Sequence, residues 1–112
     1  MTNLNKNTYQ FSTDWFNHNI PRFDKYLSCY KDKPVNFLEI GSYEGRSAIW
    51  VLENILTHKD SKLTCVEPGF LKKNDILKQN LSYFSNVKLI EKLNKDAWHE
   101  YILEDFDFVY ID

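Results

Sequence analysis

The sequence predicts an α/β fold, a parallel sheet with helices on its faces, preceded by two short N-terminal helices. Three observations predict it. From Val35 onward, apolar runs that read as strands alternate with segments of helical periodicity. Between the first strand and the helix after it lies a glycine-punctuated turn, Glu39-Ile40-Gly41-Ser42-Tyr43-Glu44-Gly45. Polar or acidic residues recur at the carboxyl ends of the strands, where open α/β sheets bind ligands.

The elements follow in order. Residues 1–11 read as a loose leader, and Ser12, Thr13 and Asp14 offer N-caps for a short aromatic helix through Asn19. Pro21 suits the first turn of a second helix, Arg22 to Tyr30, with Phe23, Tyr26, Leu27 and Tyr30 on one face. Lys31-Asp32-Lys33-Pro34 breaks it, so residues 1–33 form an N-terminal unit and residues 34–112 the α/β domain.

Strands are expected at Val35–Ile40, Lys62–Glu67, Val87–Glu91 and Phe106–Ile111. Pro68-Gly69 closes the second. Helices are expected at Arg46–Thr57, at Leu71–Phe84 with Ile76, Leu77 and Leu81 inward, and at Asp96–Leu103 carrying Trp98, Ile102 and Leu103. Trp15, Phe16, Trp50 and Trp98 are expected in the core, and Cys65 as a small buried hydrophobe. Alternating strands and helices imply right-handed crossovers and hence a parallel sheet. The fourth strand, Phe-Asp-Phe-Val-Tyr-Ile, suits the middle of a sheet. With nothing after Asp112 to cover it, the domain looks truncated, and its edge invites a second copy or a partner chain.

Composition narrows the function classes. Apolar residues make up 43% of 112 and aromatics 16%, enough for one domain with a real core. A formal net charge of −2 argues against nucleic acid as the main partner. No apolar run approaches a membrane span, and residues 1–10 do not resemble a signal peptide. Cys29 and Cys65 make no disulfide framework, so a cytoplasmic setting is expected. His18, His58 and His99 lack ligand-type spacing.

The chemistry gathers at the strand ends. Gly41 permits a tight turn, and the following helix offers unpaired N–H groups. Glu67 ends the second strand, 28 residues after Glu39, where a carboxylate can accept hydrogen bonds from both vicinal hydroxyls of a ribose. Of the three glycines of a dinucleotide fingerprint only Gly41 is in place, with Glu39 and Glu44 in the other two positions. Two carboxylates there would repel a pyrophosphate, so an NAD(P)-binding domain is the weaker reading.

The run Phe37-Leu38-Glu39-Ile40-Gly41-Ser42-Tyr43-Glu44-Gly45-Arg46-Ser47 resembles motif I of the class I S-adenosylmethionine-dependent methyltransferases. Leu63 to Glu67 is similar to their second strand with its ribose-binding acid, and Phe106 to Asp112 to their fourth. The Glu-Gly-Arg-Ser wording is most similar to a small-molecule O-methyltransferase subgroup, several of which use a metal. The resemblance covers about Val35 to Asp112 and implies a Rossmann-like sheet and S-adenosyl-L-methionine as cofactor.

Carried over residue by residue, it implies that Gly41 and Gly45 let the turn approach the methionine part, and that Glu39 holds its amino group. Ser42, Tyr43 and Ser47 would lie in the same turn and helix start, near the carboxylate; Arg46 beside them reads equally well as a surface residue. Glu67 would take the ribose hydroxyls, and Asn94 to Asp96 would lie near the adenine. Asp112 would face the methyl-transfer site, where metal-dependent members place a Mg²⁺ ligand. The resemblance thus implies methyl transfer to a small-molecule acceptor, with this chain supplying the cofactor half. The alternative is a non-catalytic remnant or subunit that binds cofactor or a partner chain without turnover.

Overall fold

The computed structural model describes residues 8–68 and 73–112. Strands β1 (Asn36–Ile40), β2 (Lys62–Val66), β3 (Val87–Ile90) and β4 (Phe108–Ile111) form one sheet in the order β3-β2-β1-β4. Every pairing is parallel, with Phe37 opposite Leu63 on one side and Phe108 on the other. The chain therefore steps outward from β1 to β3, then returns to the far side of β1 for β4. That reversal makes the β1–β4 boundary the expected ligand crevice, at the carboxyl ends of the strands.

Side chains alternate across the sheet and divide the core in two. Phe37, Leu63 and Cys65 face the larger cluster, with Leu27 of α1 (Ile20–Leu27), Ile49 and Leu52 of α2 (Arg46–Asn54), and Leu77 and Leu81 of α3 (Lys73–Leu81). Leu38, Val66 and Ile90 face the smaller cluster, with Ala97 of α4 (Asn94–Ala97) and the partly buried Ile40, Tyr101 and Phe106. Cys65 is fully buried, as its place in a central strand demands.

Several elements are shorter than their periodicity implies. In place of an aromatic helix over Ser12–Asn19 there is one 3-10 turn, Asn17–Asn19. Its N-cap position is Phe16, which makes no side-chain cap, while Asp14 just ahead accepts the N–H groups of Phe16 and Asn17. The aromatic neighbours then part: Phe16 is buried against Phe23 and Trp50, while Trp15 stays 64% exposed, outside the core expected for it. Pro21 sits in the first turn of α1, which passes at Ser28 into a 3-10 turn, leaving Tyr26 exposed.

The leader is not loose over its described part. Asn80, fully buried, brackets Gln10 through the backbone N–H and C=O and also donates to the Glu44 carbonyl. Tyr9 donates to Glu53 and Tyr83 to the Thr8 carbonyl. A buried amide satisfied on both its oxygen and its nitrogen is a strong fastening.

The other departure lies between β3 and β4. The expected helix Asp96–Leu103 is four residues of α-helix followed by a 3-10 turn, Trp98–Glu100. Trp98 and Ile102 are exposed and Leu103 is 96% exposed, so the apolar face read from spacing does not enter the core. β4 is also a sheet edge, with Val109 and Ile111 exposed, and Phe106 precedes it in the smaller cluster. Gly69 to Lys72, including the start expected for the third helix, lie outside the described residues. Among the described residues no helix is long and apolar enough to cross a membrane.

Candidate functional site

The turn after β1 is tied to both neighbouring strands. Gly41 N–H donates to the Val66 carbonyl at 2.8 Å, and Asp112 N–H donates to the Ile40 carbonyl at 2.9 Å. Gly41 has φ +91, and an added Cβ would stand 3.0 Å from the Asp112 carbonyl oxygen. Any side chain there would strain the backbone and push β4 away.

Gly45, with φ +88, ends the turn and precedes α2. A Cβ at this position would meet Leu77 of α3 at 3.0 Å, so the missing side chain faces the core and lets α3 pack under the turn. Between the two, Tyr43 has φ 52, a conformation that costs a non-glycine residue roughly 1–3 kcal/mol and persists only where its surroundings impose it. Here the Tyr43 N–H donates to Glu67 Oε1 at 2.6 Å, and its ring stacks on Trp15 with centroids 4.9 Å apart.

Glu39 is the buried carboxyl of the site. It is fully enclosed, and the Ser47 hydroxyl of α2 donates to its Oε2 at 2.5 Å. Its Oε1 and the Ser42 Oγ are buried with no hydrogen-bond partner among the described residues. Burial pushes the Glu39 carboxyl up to about 7, and the Asp112 and Glu67 carboxylates add to the effect. The Ser47 and Ser42 hydroxyls oppose it; Ser42 lies near enough to favour the charge but closes no hydrogen bond. Burial likewise drives the Cys65 thiol up, with Glu39 contributing, which leaves that thiol neutral.

A narrow cleft runs between the turn, the end of β4 and the N-terminal segment, and its lining includes neither Glu39 nor Glu67. Ser42, Tyr43, Arg46, Ser47 and Asp112 line it, together with Thr13, Trp15, Phe16 and Tyr110, which the sequence did not single out for a site. Thr13 and Trp15 lie some thirty residues before the turn, with no motif to tie them to it. Glu44 also lines the cleft, its carboxylate accepting both the N–H and the hydroxyl of Ser12. Arg46 is half-buried, its guanidinium over the Phe11 and Phe16 rings and 3.7 Å from Asp14. Asp96 is exposed in α4, directly after β3.

A family model described as a methyltransferase domain matches residues 38–112, which takes in the turn, Glu67 and all of β4. The chain belongs to this methyltransferase family. Its resemblance to the class I, O-methyltransferase-like, S-adenosylmethionine-dependent group holds, as does the Rossmann-like fold. Among solved structures it is similar to an O-methyltransferase from Bacillus cereus in complex with SAH. That match has 28% identity and a TM-score of 0.58, over 69% of this chain and 36% of that one.

It also shares its fold with a protein-L-isoaspartate O-methyltransferase at 19% identity and a TM-score of 0.64, over 96% and 32% of the two chains. A third match is the cofactor-bound protein Rv0187 from MTB, at 23% identity and a TM-score of 0.58, over 69% and 35%. The methyltransferase chain thus spans about a third of the length of these structures. No curated protein matches the sequence significantly.

The site's residues fit the family's cofactor on one particular ground. An ammonium can satisfy the orphaned Glu39 Oε1, which otherwise costs the fold a buried unpaired acceptor. They do not fit a metal: among the described residues no three His, Cys, Asp or Glu side chains cluster to hold an ion. Asp112 therefore has no companion ligands among the described residues.

Proposed function

We propose that this chain is the cofactor-binding half of an S-adenosylmethionine-dependent methyltransferase that acts on a small-molecule acceptor in the cytoplasm. The observation that carries the reading is Glu39: a fully buried carboxyl with an unpartnered oxygen, placed where the strand order reverses. S-adenosylmethionine supplies a sulfonium methyl group, and its transfer is an in-line displacement in which alignment does most of the work.

The chain's own residues bind and orient. Glu39 holds the cofactor's ammonium, and in doing so becomes the carboxylate its burial otherwise resists. Ser47 fixes the rotamer of that carboxylate through its hydrogen bond, and Ser42 presents a free hydroxyl beside it. Tyr43 and the N-terminal N–H groups of α2 lie toward the cofactor's carboxylate. Gly41 and Gly45 make the turn that brings these groups together. Glu67 accepts the ribose hydroxyls with the lone pairs that Tyr43 leaves open, since a carboxylate has about four acceptor positions. Asp96 borders the adenine, and Asp112 stands beside the methyl group.

Calorimetric titration of the chain with S-adenosylhomocysteine tests this reading. Saturable one-to-one binding is expected. A folded sample that takes up no heat with this ligand rejects it.

One observation favours a second reading, a subunit that binds without turnover. β4 is an edge whose Val109 and Ile111 are exposed, and an edge of that kind recruits another strand. Light scattering after size exclusion then shows a dimer, whereas a monomer at every concentration removes this reading.

A further inference from the structure

The N-terminal segment touches the glycine turn at three points. Ser12 gives both its N–H and its hydroxyl to Glu44, Asp14 lies 3.7 Å from Arg46, and Trp15 stacks on Tyr43. Asp14 is itself fixed by the N–H groups of Asn17 and Phe16, which hold its carboxyl below the usual range. Phe16 anchors the segment in the core. Between these anchors Trp15 is 64% exposed and stacks on Tyr43.

That partner is the one residue of the turn held in a left-handed conformation without being glycine. Two of its contacts bear on this conformation: the Glu67 carboxylate on its N–H and the indole on its ring. They act on the same peptide from opposite ends. If the ring is released, the turn relaxes toward ordinary φ, and the N–H swings off Glu67.

We infer that Trp15 is a positioning residue for the cofactor: by stacking on Tyr43 it keeps the Tyr43 N–H on Glu67 and so presets the ribose-binding carboxylate. This rests on the cofactor reading above. It adds a residue outside the matched span 38–112, and it makes the N-terminal segment a working part of the site. A preset acid loses less freedom on binding, so the benefit appears as affinity for the ribose-bearing ligand.

The test combines two readouts on the full chain. Wild type, Trp15→Ala, Trp15→Phe, Glu67→Gln and the double variant Trp15→Ala/Glu67→Gln are titrated with S-adenosylhomocysteine. Trp15→Ala is expected to weaken binding about threefold to tenfold, the range an aromatic pair is worth, and Trp15→Phe to restore most of it. In the Glu67→Gln background the same truncation is expected to change affinity less than about twofold, because its effect runs through the acid. An undiminished loss in that background means that Trp15 touches the ligand directly, and it overturns the inference.

The second readout needs no ligand. In ¹⁵N–¹H spectra the Tyr43 amide proton, donated to a carboxylate, is expected far downfield, to move upfield in Trp15→Ala and to return in Trp15→Phe. An amide that stays in place in Trp15→Ala overturns the inference, whatever the thermal stability of the variant. A wild-type chain that binds no S-adenosylhomocysteine rejects the cofactor reading itself, whereas wild-type binding with an unchanged Trp15→Ala rejects only the role of Trp15.

Discussion

The two faces of the sheet are built to different standards. Against one, α1, α2 and α3 bury Leu27, Ile49, Leu52, Leu77 and Leu81 on Phe37 and Leu63. Against the other, the short α4 and its 3-10 turn leave Trp98, Ile102, Leu103, Val109 and Ile111 in solvent. The site sits where the two meet, at the end of β1. Its legs differ in the same way: Glu39 is enclosed by the well-packed side, while Asp112 lies exposed at the end of the edge strand. The Glu39 end of the site is thus preorganised by the core, and the Asp112 end is not.

Stability variants sharpen that contrast. Phe37→Ala, from the densest part of the core, is expected to cost about 3–5 kcal/mol in urea unfolding. A cost under about 1 kcal/mol would mean the α1–α3 face is loosely packed. Glu39 gives the next largest effect, and it depends on pH. Its carboxyl is raised from the ordinary 4.5 of a glutamate to about 7, so the folded chain holds that proton more tightly than the unfolded chain. The associated stability is complete below the unfolded value and lost as pH rises through about 7, amounting to about 3 kcal/mol by pH 8. Glu39→Gln is expected to abolish this dependence, and chemical unfolding at pH 5 and pH 8 reads it directly.

Gly45→Ala is expected to cost about 1–3 kcal/mol, because φ +88 is strained for alanine and the new methyl meets Leu77. Thermal melts that match wild type would show that the turn can relax. Leu103→Ser, at the other extreme, is expected to change stability by no more than about 0.5 kcal/mol. A large loss there would mean that this face is covered in solution.

How much of this was legible in the sequence follows from what each signal measures. The alternation of strands and helices and the glycine turn depend on local residue types, and β1, α2 and β2 appear within a few residues of their expected bounds. Glu39 and Glu67 stand out in the sequence as carboxylates at strand ends, but their hydrogen bonds to Ser47 and Tyr43 do not. The failures share a cause: spacing shows that apolar residues fall on one face, but not what that face meets. Trp98, Ile102 and Leu103 have the right residue types and no opposing layer among the described residues. Trp15 read as core for the same reason, whereas its partner is a turn residue 28 positions away. That contact is long-range and leaves no local pattern. The fastening of Gln10 by Asn80, across 70 positions, was equally hidden.

The central claim is that Glu39 receives the cofactor's ammonium, and the pH dependence of affinity tests it most directly. Calorimetry with S-adenosylhomocysteine is run from pH 6 to pH 8.5 on wild type and Glu39→Gln. Because Glu39 must give up its proton to pair with the ammonium, wild-type affinity is expected to rise about tenfold per unit below pH 7 and to level off above it. The variant is expected to bind at least about tenfold more weakly at pH 8, with a flat profile. Equal affinity of the two proteins at pH 8, or a wild-type profile with no rise through pH 7, would contradict the account.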